Sequence, residues 1–186
     1  MEPKNKWVDL ASIPGTNGRE DLQDGWHDYF GRFFLNKSIL DVGAALCGSK
    51  TRLGYGNNQV TTQDVAPGLP VDLRTPVSKI DDKCYDVVTC FDTIEHILYD
   101  ESFLKNLVRI AKENVVVVTP NWCHSKAGNK YHCREYTPKE IIALTAPYKV
   151  LFYLVGDGRG KKISLIEESQ AFLSHREFSH GFVLQT

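Results

Sequence analysis

Ser38-Ile39-Leu40-Asp41-Val42-Gly43-Ala44-Ala45-Leu46-Cys47-Gly48 decides how this chain is read. A short apolar run passes without a break into glycine and small residues. The first strand of a doubly wound α/β sheet ends this way, where backbone must approach a ligand and needs room for unusual dihedrals. An acidic residue near the strand end, Asp41, suits a ligand that offers hydroxyls or an amine. Taken alone, the stretch is equally an ordinary strand-to-helix turn. The flanking chain has to decide.

Upstream, Trp26, Tyr29, Phe30, Phe33 and Phe34 recur at helical spacing, which predicts an amphipathic helix over about 20–35. Downstream, a poor helix over about 49–55, weakened by Gly54 and Gly56, leads to a second strand over about 59–64 that ends at Asp64. Ala66-Pro67-Gly68-Leu69-Pro70 is loop chemistry, and Val71-Asp72-Leu73 reads as a very short strand. Tyr85-Asp86-Val87-Val88-Thr89-Cys90-Phe91 and Val115-Val116-Val117-Val118-Thr119 have the β-branched, doubly buried character of parallel strands. Between them Phe103, Leu104, Leu107, Val108 and Ala111 make one face of a helix over about 101–112, with Asp100 as its cap. Thr137-Pro138-Lys139-Glu140 is a capping box with proline at the first helical position. Lys149–Val155 and Lys161–Ile166 flank a glycine-rich turn and read as a closing hairpin. From Glu167 a tail carries one further short helix.

Strands alternating with helices and closing in a hairpin predict an α/β fold: a doubly wound, mostly parallel, seven-stranded Rossmann-like sheet with an antiparallel C-terminal edge hairpin, somewhat trimmed. The chain divides into an N-terminal cap and helix (1–36), a core (37–166) and a tail (167–186) of one domain. Its 186 residues, 42% hydrophobic and 24% charged, suit such a core. A net charge of −1 argues against an extended basic face for nucleic acid. No apolar run is long enough to span a membrane. Five cysteines without a CxxC pair fit reduced thiols in a cytoplasmic setting. Cys123-His124 and His132-Cys133 match the spacing of no common zinc module.

Ligands in such sheets sit beyond the carboxyl ends of the strands, and acidic or small residues stand at four successive ends. Asp64 follows Gly43 by about twenty residues, where a carboxylate can take both hydroxyls of a ribose. The set Asp41-Val42-Gly43-Ala44-Ala45, Asp64, Asp72-Leu73, Tyr85–Cys90 and Glu95-His96 resembles a class I S-adenosylmethionine-dependent methyltransferase over about residues 36–166. The resemblance implies that Asp41, Gly43 and Ala45 line the methionine part of the cofactor. It gives Asp64 the ribose, Asp72 and Leu73 the adenine edge, and Phe91 the cofactor's inner face. It also implies a reversed last strand, which the closing hairpin fits. Trp26, Tyr29 and Phe30 either roof the substrate pocket, as that family's N-terminal helix does, or pack as core. Ala45 stands where the family has a second glycine, and the helix between the second and third strands is missing.

Asp92-Thr93-Ile94-Glu95-His96, Thr119-Pro120-Asn121 and His132–Pro138 carry a narrower likeness. It is to ubiquinone-pathway O-methyltransferases and to enzymes that methylate the 2′-hydroxyl of small-RNA 3′ ends. The likeness implies a divalent cation (Mg, Mn or Zn) on Asp92, Glu95, His96 and His132, with His132 and His96 as catalytic residues. On a helix, the 92/95/96 spacing would put all three side chains on one face. The plainer alternatives stay open. Glu95-His96 also suits a helix start that needs no metal, and His132 is equally a loop histidine.

Three functions follow. The first is methyl transfer from S-adenosylmethionine to an oxygen or nitrogen of a small-molecule or polymer-end acceptor. An RNA end is compatible, and a small molecule is favoured by the near-neutral charge. The second is a non-catalytic cofactor- or partner-binding module on the same fold. The third, a nicotinamide-dependent oxidoreductase, lacks its Gly-x-Gly-x-x-Gly. Neither the acceptor nor the oligomeric state is readable from these residues.

Overall fold

Two strands carry most of the architecture, and both are buried on each face. β1 (Ser38–Val42) pairs in parallel with β2 (Gln59–Gln63) on one side and β3 (Tyr85–Phe91) on the other. The sheet reverses its direction of growth at β1, which in open α/β sheets is where ligands sit, beyond the carboxyl ends. The computed structural model describes residues 20–45, 48–126, 128–157 and 162–186, and side chains from 25 onward. Leu46, Cys47 and residues 158–161, where the hairpin's turn is expected, lie outside the described residues.

The seven strands run in the order β2-β1-β3-β4-β7-β5-β6. β4 (Ala111–Pro120) continues the parallel set beside β3. β5 (Lys149–Gly156) and β6 (Ile163–Ile166) form the expected antiparallel hairpin at the far edge. The strand that reverses inside the sheet is a different one. β7 (Ser179–Gln185) lies antiparallel between β4 and β5, in the stretch expected to hold only a short helix. That helix is present as α6 (Ser169–Leu173), just before β7. Val71-Asp72-Leu73 is reduced to one parallel bridge, Gln63 to Leu73.

Alternate residues of each strand fill two cores. α1 (Glu20–Phe33) covers one face, where Trp26, Phe30 and Phe34 meet Ile39, Val87 and Val116. Trp26 and Phe30 are core residues, 1% and 0% exposed. The other face packs under α3 (Asp100–Ile110), α5 (Pro138–Thr145) and α6, with Leu104, Leu107, Ile141 and Phe172 against Val88, Val117 and Phe182. α2 (Ser49–Leu53) follows the first loop, and α4 (Trp122–Ser125) caps the end of β4. The capping box is complete: Thr137 Oγ1 accepts from Glu140 N at 3.3 Å, and Glu140 Oε2 accepts from Thr137 N at 2.8 Å. Among the described residues no helix is long and apolar enough to cross a membrane.

β7 carries a histidine into the apolar interior. His180 is fully buried, its Nδ1 lies 3.3 Å from His175 Nε2, and Phe172 packs on both rings. Burial, then the neighbouring His175, pull the His180 imidazole from 6.5 down to about 3. Glu177 is the acid beside the pair, 3.4 Å from His175 Nδ1. Between about pH 6.5 and 3 the unfolded chain therefore binds a proton that the folded chain refuses. This stability is complete above pH 6.5 and falls on acidification by up to about 1.4 kcal/mol per unit. Urea midpoints should drop between pH 7 and 5, and His180→Gln should flatten the slope. Equal slopes in both proteins would remove the effect.

Candidate active site

The bend after β1 is held by the end of β2. Gly43 N and Ala44 N donate to Gln63 O at 2.8 and 3.0 Å. Ala45 N donates to Asp64 Oδ2 at 3.2 Å, and Ala66 N donates to Asp64 Oδ1 at 2.9 Å. Gly43 has φ +73°. A Cβ there would also stand 2.2 Å from Thr93 Oγ1, so glycine is required twice over. Ala45 takes φ +46° without being glycine. Among the described residues, Asp64 spends one lone pair of each carboxylate oxygen on these amides and keeps one on each, half-buried beside the bend.

Asp41 sits deeper, 2% exposed. Its Oδ1 accepts from Thr89 Oγ1 at 2.7 Å, and His27 Nε2 stands 3.7 Å from its Oδ2. That Oδ2 has no hydrogen-bond partner among the described residues. Asp72 is bound to its own fold: Oδ2 accepts from Thr62 N and Oγ1 at 2.9 Å each, and Oδ1 accepts from Lys50 Nζ at 2.6 Å. The Lys50 ammonium, then the Thr62 amide, hold its carboxyl at about 2. Leu73 packs against the α3-side core, and Phe91 stacks on Phe30 within the α1-side core.

Beyond β3 the chain does not form the expected helix. Asp92 takes φ +44°, its N–H donating to Val118 O of β4 at 2.9 Å, and only Ile94–His96 turn, as a 3-10 segment. The turn still brings Glu95, His96 and His132 together, one ligand atom of each within 4.8 Å of the others. Asp92 lies outside that trio: its positive φ is not helical, so the 92/95/96 spacing does not act as a helix face. Glu95 is fully buried at the end of a bond from Thr119 Oγ1 to its Oε2, 3.0 Å. Its Oε1 has no hydrogen-bond partner among the described residues and lies 4.0 Å from both His96 Nε2 and His132 Nε2. Burial, then the charge of Asp92, raise the Glu95 carboxyl well above the usual range. The two imidazole rings meet edge to face at 4.8 Å.

This donor set fits a divalent cation. A buried carboxylate oxygen without a donor keeps its proton unless a cation replaces it. Two imidazoles and one carboxylate suit Mn²⁺ or Zn²⁺. No other group of three or more metal-ligating side chains occurs among the described residues, so the Cys123-His124 and His132-Cys133 pairing forms none.

No protein-family model and no curated protein matches the sequence. Solved structures do match. A methyltransferase from Archaeoglobus fulgidus, described as dependent on S-adenosylmethionine, superposes with a TM-score of 0.65 at 13% identity, covering 91% of this chain and 96% of its own. The fold is that of the class I S-adenosylmethionine-dependent methyltransferases. A Thermotoga maritima enzyme of this fold, described as a possible histamine N-methyltransferase, gives 0.62 at 10% identity over 90% of each chain. The [4+2]-cyclase SpnF gives 0.64 at 11% identity over 89% of this chain and 81% of its own.

Within this methyltransferase fold, residues that sequence reasoning did not single out surround the trio. Thr119 holds Glu95, while Asn129 and Glu135 both contact His132. The spacing His132-x-x-Glu135 was visible in the sequence. The loop that brings Asn129 back was not.

Proposed function

We propose that this chain is an S-adenosylmethionine-dependent methyltransferase acting on an oxygen or nitrogen of a small-molecule or polymer-end acceptor. The observation that carries it is the convergence of Asp64 on the Ala45 amide, beside a cluster of proton-accepting groups at the next strand end. In this reading the spare lone pairs of Asp64 take a ribose diol, while Asp41, Gly43 and Ala45 border the methionine part. Asp72 and Leu73 flank the adenine edge, and Phe91 backs the cofactor's inner face.

Sulfonium transfer needs alignment more than covalent help. Without a cation, the acceptor's proton passes to an imidazole Nε2 of His96 or His132; with one, those nitrogens are its ligands and the acidified acceptor gives its proton to water. Either way, the heteroatom's electron pair forms the new bond to carbon as the carbon–sulfur bond breaks. Glu95, His96 and His132 would hold a divalent cation, with Asp92 adding negative charge nearby. When bound, such a cation supplies Lewis acidity toward an acceptor hydroxyl. A small acceptor suits the near-neutral charge, and an RNA end is the polymer version of the same hydroxyl chemistry. The four free cysteines among the described residues suit a reduced, cytoplasmic setting.

A second reading is a non-catalytic cofactor- or partner-binding module on the same fold, kept because a fold alone does not fix its chemistry; the cyclase neighbour has this fold under a different activity. Binding without turnover is its signature. Calorimetry should find one S-adenosylhomocysteine per chain, and electron paramagnetic resonance should find one Mn²⁺. Glu95→Ala and His132→Ala should each weaken Mn²⁺ at least about tenfold and leave S-adenosylhomocysteine binding in place. No binding of S-adenosylhomocysteine to the wild type would sink the methyltransferase reading.

A further inference from the structure

The loop before α5 determines which nitrogen of each imidazole carries a proton. Tyr131 N is a backbone donor and lies 3.0 Å from Asn129 Oδ1, so that end of the Asn129 amide is the oxygen. Its Nδ2 then lies 2.9 Å from His132 Nε2 and donates to it. His132 Nε2 is therefore the lone-pair nitrogen, and the ring proton sits on Nδ1, 2.6 Å from Glu135 Oε1. Glu135 is itself anchored, its Oε2 accepting from Ser125 Oγ, and its side chain is 1% exposed. His96 is set by the same residue's other backbone group: Nδ1 faces Tyr131 O at 3.1 Å, and a carbonyl can only accept. Both rings thus turn an unprotonated Nε2 toward Glu95 Oε1, at 4.0 Å each.

From this we infer that Glu135 is a positioning residue, which holds His132 in the Nδ1–H form so that its Nε2 lone pair, engaged by the Asn129 amide in the cation-free protein, is the one available to a cation held with Glu95 and His96. Imidazole in water favours the opposite tautomer, so the Nδ1–H form needs an acceptor such as Glu135 Oε1 to hold it. A buried glutamate used only for packing would need neither the 2.6 Å contact with Nδ1 nor the serine on its second oxygen. The use made of the lone pair rests on the proposed function; the tautomer does not.

Two readouts on the full chain separate these. Nitrogen-15 imidazole spectra of the cation-free wild type should show His132 as Nδ1–H. Glu135→Leu should shift it toward Nε2–H, whereas Glu135→Gln, which keeps an acceptor oxygen, should retain Nδ1–H. Mn²⁺ affinity should fall about 10- to 100-fold in Glu135→Leu and less in Glu135→Gln. An Nε2–H wild type overturns the inference even if no variant folds. So does a Glu135→Leu protein whose tautomer and Mn²⁺ affinity both match the wild type. If the wild type shows Nδ1–H and binds no Mn²⁺, the cation reading fails while the assignment of Glu135 to the tautomer stands.

Discussion

Asp64→Ala should weaken S-adenosylhomocysteine binding by about 10- to 100-fold, read by calorimetry at fixed salt. The range follows from hydrogen bonds to a charged group, worth about 1.5–3 kcal/mol when a partner is removed. Two effects combine at this residue. Its carboxylate offers the spare lone pairs proposed for the ribose diol, and it also fastens the Ala45 and Ala66 amides that shape the bend. Asp64→Asn keeps one acceptor oxygen and should fall between wild type and alanine. Thermal melts with and without ligand divide the two contributions, because the bend's share persists in the ligand-free protein. If Asp64→Ala binds within twofold of wild type, the ribose assignment is wrong and the adenosine must lie elsewhere.

Gly181→Ala should damage the fold severely for a one-methyl change. A Cβ at Gly181 would stand 1.9 Å from Val117 O and 2.9 Å from Val118 Cα, both backbone atoms of β4 that cannot swing aside. Either β7 shifts or its pairing with β4 breaks, and a loss of roughly 3 kcal/mol or more is expected, at the upper end for overpacking. Gly54→Ala is the matched control, with open space around its Cβ and a right-handed helical backbone. There the same methyl should be neutral or stabilise by up to about 1 kcal/mol. Urea denaturation of the pair measures the contrast; similar midpoints would mean that β7 is not seated as described.

Where local chemistry sets the structure, the sequence was readable. Thr137-Pro138-Lys139-Glu140 closes its capping box within four residues, and Ile39–Val42 and Val115–Thr119 are strands because little else can be made of such runs. The candidate site was legible to the same extent, since strand ends can be found without knowing which strands are neighbours. Failures came where distant residues decide. His180–Leu184 is apolar and short, and only its slot between β4 and β5 makes it an inner strand. Asp92 to His96 has helical spacing, but Asp92 continues out of β3 with a left-handed backbone and only Ile94–His96 turn. Glu135 stands three residues from His132 in plain view, yet its role depends on a tautomer set through Asn129 and the Tyr131 peptide.

The placement of β7 also bears on how the protein is made. A chain growing from its N-terminus delivers β4 and β5 well before Ser179–Gln185 emerges to join them. Until then two long, apolar strand borders stand open and can recruit each other or a neighbouring nascent chain. Yield in cells should therefore depend on chaperone supply and growth temperature more than the finished molecule's resistance to urea would suggest.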